Sequence, residues 1–254
     1  HRLVAKSAEF DGEIVWFTLD AKNPVVTKHL DAGGSAFVLD GGELLAVSGD
    51  SRQPVCRDVD IPISMQGAAR HNVANALAAA AFCWCLGIGH PDIRAGLSTI
   101  SQDKNPGRGN VYQTDRNTVL VDFAHNPEAL QALLDMANRM PFKRKALCFG
   151  QAGDRTDDLI RKLARSAWES GLDRVFVSEL AKYHRGREPG DVYRIIEHEL
   201  LNRGAAPDQV EHNEEEIDSL RSAMDWAEPG DLIVMLALER SAALYEMLRS
   251  RSTS

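Results

Sequence analysis

The chain has 254 residues, of which 44% are hydrophobic and 26% are charged, and its formal net charge is -8. This length and composition suit one large or two small globular domains. The acidic balance argues against a nucleic-acid surface, because phosphate backbones are bound by basic patches. We therefore expect a small-molecule or peptide-like substrate and no nucleic-acid partner.

Neither a membrane segment nor an export signal is predicted. The longest apolar stretch, 76–88, is shorter than the roughly 20 residues that a bilayer-spanning helix requires. Residues 1–6 lack the apolar core and cleavage site of a signal peptide and are interpreted as a cut edge. The four cysteines lack the C-x-x-C spacing of a structural zinc site. We expect reduced thiols, no metal site and a cytoplasmic protein.

Short runs of β-forming residues dominate the beginning of the chain. The predicted strands are 14–19, 36–39, 44–47 and 61–65, with a Gly41-Gly42 turn between the second and third. Two helices are predicted next, at 71–86 and 93–100. The first of these is rich in alanine, which suits close packing on a sheet.

A polar, turn-rich segment at 101–107 precedes a regular alternation of strands and helices, and we place a domain boundary near Lys104. The predicted strands of the second part are 119–123, 145–149, 174–178, 209–212 and 231–238. The predicted helices are 127–140, 156–170, 189–203, 214–226 and 240–249. Parallel strands need crossover connections, so these repeats predict a mostly parallel, Rossmann-like sheet covered on both faces.

Ligand contacts in a parallel sheet come from the loops that leave the carboxyl ends of the strands. The segment 119–130, VLVDFAHNPEAL, ends a strand with Asp122 and continues with His125 and Asn126. A proline follows Asn126 at the expected first helical position, so an N-cap explains this asparagine equally well.

Five segments resemble motifs of the Mur ligase family, and they occur in the family's order. Segment 119–130 is similar to the D-x-A-H-N-P-x-A-L motif of the C-terminal domain, which folylpolyglutamate and cyanophycin synthetases share. Segment 67–80, GAARHNVANALAAA, resembles the helix that ends the central ATPase domain, and 105–110, NPGRGN, resembles the P-G-R linker. Segment 149–155, FGQAGDR, resembles the G-x-x-G-D-R loop, and 184–191, HRGREPGD, is most like the cyanophycin synthetase branch.

The resemblance implies an α/β fold with two domains. Residues 1–104 would be the C-terminal part of the central, P-loop-type ATP-binding domain, and 105–254 the Rossmann-like C-terminal domain. The sequence contains no G-x-x-x-x-G-K-[ST] phosphate loop, so we expect that loop and most Mg²⁺ ligands to lie upstream. Half a sheet leaves an exposed edge, which an upstream segment or a partner chain is expected to cover.

The resemblance also implies a reaction and a nucleotide site. ATP would bind between the two domains and phosphorylate a substrate carboxylate, and an amine would then attack the acyl phosphate. By position in the motifs, Asn75 would recognise the adenine, Arg108 the phosphates and Asp122 the ribose hydroxyls. Alternatively, Arg108 is a solvated surface arginine and Asp122 a strand-end residue satisfied by backbone donors.

The other candidates follow the strands of the second part. His125 and Asn126 are assigned to catalysis, because a helix N-terminus favours developing negative charge. The candidates for binding the incoming amino acid are Gly153, Asp154, Arg155, Arg185 and Arg187. Arg155 is suited to a substrate carboxylate, whereas Arg185 and Arg187 are explained equally well as a solvated loop.

The leading interpretation is part of an ATP-dependent ligase that joins an amino acid to a carboxylate, either cyanophycin synthetase-like or muramyl/folyl-polyglutamate-like. In the cyanophycin branch the resemblance implies addition of arginine to an aspartate side chain, and the acidic chain is compatible with a cationic substrate. These residues alone are expected to be inactive. The alternative is a non-catalytic ligand-binding or regulatory module. An oxidoreductase is disfavoured, because no G-x-G-x-x-G follows a strand.

Overall fold

A computed structural model describes residues 2–102, 105–239 and 242–252. Its contacts divide the chain into two compact units, His1–Lys104 and Asn105–Ser254. Lys104, where the predicted boundary falls, and Arg240, the predicted start of the last helix, lie outside the described residues.

The first unit contains a four-stranded sheet. Its strands, in spatial order, are β1 (Val15–Thr18), β2 (Ser35–Asp40), β3 (Glu43–Ser48) and β4 (Ser51–Arg57). β1 is parallel to β2, and the other two pairs are antiparallel. The helices are α1 (Arg2–Ser7), α2 (Pro24–Asp31), α3 (Arg70–Cys85) and α4 (His90–Ser98). Gly41 and Gly42 have φ of 56° and 86°, the left-handed conformation that a two-residue hairpin turn requires.

The core of the first unit lies between α3 and the sheet. Val73, Leu77 and Ala80 of α3 are fully buried and share a cluster with Phe37 and Leu44 of the strands. Small side chains on α3 permit this close approach, as the alanine-rich sequence predicts.

The prediction of a strand at 61–65 is wrong. The segment forms a 3₁₀ turn, Pro62–Ser64, in which the Ser64 hydroxyl donates to the carbonyl oxygen of Asp58 at 2.5 Å. Pro62 has no amide hydrogen to donate to a neighbouring strand, so a turn suits this sequence better than a sheet.

The second unit contains a six-stranded sheet in the order β5-β6-β10-β7-β8-β9. The strands are β5 (Asn110–Gln113), β6 (Thr118–Asp122), β7 (Lys145–Phe149), β8 (Arg174–Ser178), β9 (Val210–Asn213) and β10 (Leu232–Leu236). The helices are α5 (Pro127–Ala137), α6 (Asp157–Glu169), α7 (Asp191–Asn202), α8 (Glu216–Trp226) and α9 (Ala242–Arg251). β5 is antiparallel to β6 and every other pair is parallel, which confirms the predicted α/β, mostly parallel, Rossmann-like class.

Both faces of this sheet are buried. Val119 and Val121 of β6 share a core with Leu220 of α8 and Leu244 of α9. The intervening Leu120 points to the other face and is also fully buried. Helices α5, α6 and α7 pack side by side in sequence order. In the described part of the chain, no helix combines the length and apolarity needed to cross a bilayer.

Candidate functional site

The candidate site of the second unit lies at the carboxyl ends of its parallel strands. Asp122, the last residue of β6, is in register with Leu236, the last residue of β10. The loops that leave β6, β7, β8 and β10 therefore start from one edge of the sheet, where ligands of such folds bind.

The segment before β5 forms a tight turn around Arg108. The amides of Gly107 and Arg108 donate to Oδ1 of Asn110, the second over 3.2 Å. The amide of Gly109 donates to Oδ2 of Asp122 over 2.7 Å. Asn110 and Asp122 are buried, whereas the Arg108 side chain is exposed. Burial raises the pKa of the Asp122 carboxyl, while the Gly109 amide and the Arg108 charge oppose that rise.

Arg108 and His125 meet at one aromatic ring. The guanidinium of Arg108 lies 5.5 Å from the centroid of the Phe123 ring, and the His125 ring centroid lies 5.3 Å from it. Nδ1 of His125 is 3.1 Å from the Phe123 carbonyl oxygen. The structure thus brings together Arg108, Asp122 and His125, which the sequence places in two separate motifs.

Asn126 occupies the N-cap of α5. Its Oδ1 accepts from the amide of Ala129 at 2.8 Å, and Pro127 follows at the first helical position. This contact accounts for the asparagine and the proline by capping alone.

Gly153 allows the loops after β7 and β8 to touch. Its amide donates to the carbonyl oxygen of Tyr183 at 2.8 Å. A Cβ at this position would overlap the carbonyl oxygen of His184. Only glycine permits this approach without a backbone shift.

The arginines of these two loops have different surroundings. Arg187 points inward, where Nε donates to the carbonyl oxygen of Gly153 and Nη2 to that of Arg155, both at 2.8 Å. Its Nη2 also lies 2.8 Å from a carboxylate oxygen of Asp157. Arg187 therefore ties the two loops together.

Arg185 and Arg155 lie on the outer side of the same loops. Arg185 forms an ion pair with Asp154. The exposed Arg155 side chain has no hydrogen-bond or ion-pair partner among the residues that the structure describes. Of the predicted substrate-binding arginines, Arg155 thus leaves its guanidinium available to a ligand.

An acidic cleft of about 540 Å³ adjoins these loops. Its charged lining residues are Glu179, Glu214, Glu215, Glu216, Glu239 and Lys182. None of them was among the predicted site residues. They come from the loops after β8, β9 and β10, and the signal available in the sequence was the run of three glutamates after β9 together with Glu239 after β10.

Glu216 is the buried carboxyl of the acidic cleft, with 4% of its surface exposed. Its Oε1 accepts from the amide of Leu238 at 2.6 Å, and both oxygens accept from the amide of Glu239 at 3.2 Å. Burial raises the pKa of Glu216 to about 7, and the charge of Glu239 adds to the rise. Glu239 itself lies 3.6 Å from the Lys182 ammonium.

The titration of Glu216 predicts a pH-dependent stability. The pKa of Glu216 rises from 4.5 in the unfolded chain to about 7 in the fold. Its stabilising contribution to the free energy of unfolding is therefore complete below pH 4.5 and is lost as the pH increases through about 7. We expect a loss of about 3 kcal/mol of unfolding free energy between pH 4.5 and 8 from this group. In urea unfolding, Glu216→Gln should remove that part of the pH dependence. Glu214→Gln, an exposed change in the same cleft, should retain it, and equal profiles for wild type and Glu216→Gln would refute the assignment.

Glu179 forms the wall of the acidic cleft that is closest to β8. Its Oε1 accepts from the amide of Gly190 at 3.1 Å and lies 2.8 Å from Nε2 of His212. Its Oε2 lies 3.2 Å from Nε2 of His184. These contacts fix the direction of the carboxylate relative to the loop that carries Arg185 and Arg187.

Asn75, the predicted adenine-binding residue, lies on α3 of the first unit and is exposed. Asn72, one turn earlier, is buried and donates from Nδ2 to the carbonyl oxygen of Ile63 at 2.8 Å. Burial lowers the pKa of the neighbouring His71. Asn72 therefore has a structural partner, while the Asn75 amide faces outward.

No group of three or more histidine, cysteine, aspartate or glutamate side chains suited to a metal ion occurs within 2–102, 105–239 and 242–252.

Comparisons with known proteins extend these observations. The Mur ligase, glutamate ligase domain family matches residues 107–237. Cyanophycin synthetases from Nostoc sp. and Synechocystis sp. are each 31% identical to the chain, over 246 and 254 residues. The matches cover 96% and 98% of this chain, but 27% and 28% of those proteins. The chain thus spans about a quarter of the length of these relatives.

Solved structures agree with the fold. Folylpolyglutamate synthase from Mycobacterium tuberculosis, complexed with ADP, has a TM-score of 0.58 at 18% identity, covering 96% of this chain and 56% of that one. Folylpolyglutamate synthase from Thermotoga maritima has a TM-score of 0.56 at 19% identity, with the same coverage of both chains, 96% and 56%.

Proposed function

The chain belongs to the Mur ligase family, and we propose that it is part of an ATP-dependent ligase that joins an amino acid to a carboxylate through an acyl phosphate. The observation that carries the proposal is the grouping of Arg108, Asp122 and His125 at the carboxyl edge of the second sheet. All three come from segments that resemble family motifs.

We assign His1–Lys104 to the C-terminal part of a central ATP-binding domain and Asn105–Ser254 to the C-terminal domain of the ligase. The sequence has no G-x-x-x-x-G-K-[ST] loop to cradle a triphosphate. These residues by themselves are therefore expected to show no ligase turnover.

The proposed reaction has two steps, and side chains of this chain are assigned to stabilise the charge that develops in them. A substrate carboxylate oxygen attacks the γ-phosphorus of ATP, and ADP leaves with the electrons of the broken P–O bond. The incoming amine then attacks the acyl carbon, phosphate leaves, and the amine loses a proton. Arg108 supplies a planar, permanently charged donor to the phosphate oxygens. His125, just before the N-terminus of α5, faces the negative charge that develops.

Nucleotide contacts outside the phosphates are assigned to two residues. Asn75 offers an exposed amide, with both a donor and an acceptor, to the adenine. Asp122 is proposed to hold the ribose hydroxyls, and to do so it must share its carboxylate with the Gly109 amide.

The incoming amino acid is proposed to place its cationic side chain in the acidic cleft and its carboxylate against Arg155. Five glutamates and one lysine are the charged residues that line the described part of the cleft. A guanidinium or ammonium group is the ligand that such a lining favours. Lys182 would have to release Glu239, 3.6 Å away, for a second cation to bind there.

Two substitutions in the acidic cleft test the charge of the ligand in opposite directions. By calorimetry on the full-length natural protein, Glu239→Gln is expected to weaken arginine binding by roughly 10-fold, because a charged hydrogen bond is lost. Lys182→Met should strengthen it, because a competing cation is removed. Glu246→Gln, an exposed change on α9, is the matched control.

Two other results of these binding measurements would contradict the proposal. Opposite responses of the two variants would assign the cleft to an anion. Binding of arginine and ATP with no turnover by the full-length protein would replace the ligase with a ligand-binding module.

A further inference from the structure

The turn that carries Arg108 is held by two buried side chains. Three successive backbone amides, those of Gly107, Arg108 and Gly109, donate to the side chains of Asn110 and Asp122. The two acceptors have only 5% and 8% of their surface exposed. The arginine side chain between them is exposed.

We propose that Asn110 is a positioning residue, which fixes the Gly107–Gly109 turn so that Arg108 is directed to the phosphates of ATP. This inference depends on the proposed ligase function. Asn110 is not assigned any contact with substrate and acts through the backbone of the turn.

The conformation of the turn explains why an acceptor is required. Gly107 and Gly109 have φ of 78° and 64°, so the amides on either side of Arg108 are turned away from a regular strand. A buried amide without an acceptor is costly, and one amide oxygen of Asn110 satisfies two of the three. The Gly109 amide depends on Asp122, so the same carboxylate that ends β6 also fixes the turn.

The surroundings limit how the turn can move. A Cβ at Gly107 would lie 3.0 Å from Oη of Tyr245, so the backbone is packed closely against α9. On the other side, the Arg108 guanidinium lies over the Phe123 ring. If the Asn110 side chain were lost, Asp122 would still hold the Gly109 amide, but the amides of Gly107 and Arg108 would lose their acceptor, and Arg108 would leave this position.

A merely structural role for Asn110 is the competing explanation, because this residue also opens β5 and pairs with Val121. That role uses its backbone and is retained in any non-proline variant. Asn110→Asp keeps an oxygen in the acceptor position, whereas Asn110→Ala removes it. The comparison of these two variants separates positioning from strand pairing.

The test uses the full-length natural protein and two readouts. Amide hydrogen exchange at residues 107–109 reports on the turn, and steady-state kinetics with varied ATP reports on Arg108. For Asn110→Ala we expect exchange at 107 and 108 at least 10-fold faster and a loss of kcat/KM for ATP that approaches the loss in Arg108→Ala. Asn110→Asp should restore both, and Asn105→Ala, an exposed change just before the turn, should alter neither.

The possible failures are distinguishable. Unchanged exchange in Asn110→Ala would overturn the inference, and so would faster exchange with wild-type kinetics. If Asn110→Ala does not fold, Asn110→Asp alone decides, because slow exchange with impaired kinetics in that variant contradicts positioning. A protein whose Arg108→Ala variant turns over normally would instead refute the proposed function.

Discussion

Arg108→Ala is expected to lower ATP-dependent turnover of the full-length natural protein by about 10²–10³-fold. This is the usual effect of removing one hydrogen-bond donor that stabilises the negative charge developing in a transition state. The reason is the geometry of the turn, which leaves this guanidinium exposed while its backbone is fixed. Arg108→Lys should recover only part of the loss, because an ammonium cannot bind two phosphate oxygens in the same plane.

The control for Arg108→Ala is Arg116→Ala. Arg116 is an exposed arginine in the turn between β5 and β6, so the two variants lose the same charge. Pre-steady-state measurement of acyl phosphate formation should show a defect in the first variant only. Equal rates in both variants would show that Arg108 is the solvated surface arginine that the sequence also allowed.

Asp231→Ala is expected to lower the free energy of unfolding by about 2–3 kcal/mol, because a buried carboxylate with several hydrogen bonds is removed while its partner Arg144, 34% exposed, stays hydrated. Asp231 has 2% of its surface exposed. Its Oδ2 accepts from Nη2 and Nε of Arg144 at 2.5 and 3.0 Å and from the Glu228 amide at 2.9 Å. The carboxylate thus joins the loop before β10 to the start of β7.

The matched control for Asp231→Ala is Glu228→Ala, which also removes a carboxylate near Arg144. Oε1 of Glu228 lies 3.8 Å from the Arg144 guanidinium, and the Glu228 side chain is 71% exposed. We therefore expect the free energy of unfolding to change by no more than about 0.5 kcal/mol. Chemical denaturation at pH 7 measures both. Similar losses of unfolding free energy in the two variants would show that the burial of Asp231 does not determine its contribution to stability.

The stability from Asp231 should also depend on pH. Burial alone would raise the pKa of Asp231, but the hydrogen bonds from Arg144 and the Glu228 amide outweigh this and hold it below its usual value. The contribution is therefore present above the unfolded pKa of about 4 and is lost as pH falls through the folded value. The difference between wild type and Asp231→Ala should shrink in acid.

Much of the fold followed from the sequence, because buried strands and amphipathic helices have different periods. β7 and β8 were predicted at their observed bounds, and the five helices of the second unit were all anticipated. The prediction missed β4, whose polar residues and proline hide the pattern, and β5, which has only 4 residues. It also missed α2, although Asn23 caps that helix and Pro24 starts it, which is a local signal that could have been used.

The site was predictable only where a motif is local. Asp122, His125 and Asn126 lie within five residues of one another, and the antiparallel pairing of β5 with β6 brings Arg108 close to the end of β6. The inward direction of Arg187 depends on the backbone of another loop, which sequence does not reveal. The acidic cleft was missed because its glutamates come from three loops, and a run of charges usually indicates a solvated face.

The most direct test of the ligase account follows oxygen atoms. The full-length natural protein would be given ATP, arginine and an aspartate-containing acceptor peptide whose carboxylates carry ¹⁸O. If the carboxylate is activated as an acyl phosphate, the released phosphate acquires one ¹⁸O atom and the peptide gains an arginine in amide linkage. Release of unlabelled phosphate together with the amide product, or no product with any amino acid and acceptor supplied, would contradict the account.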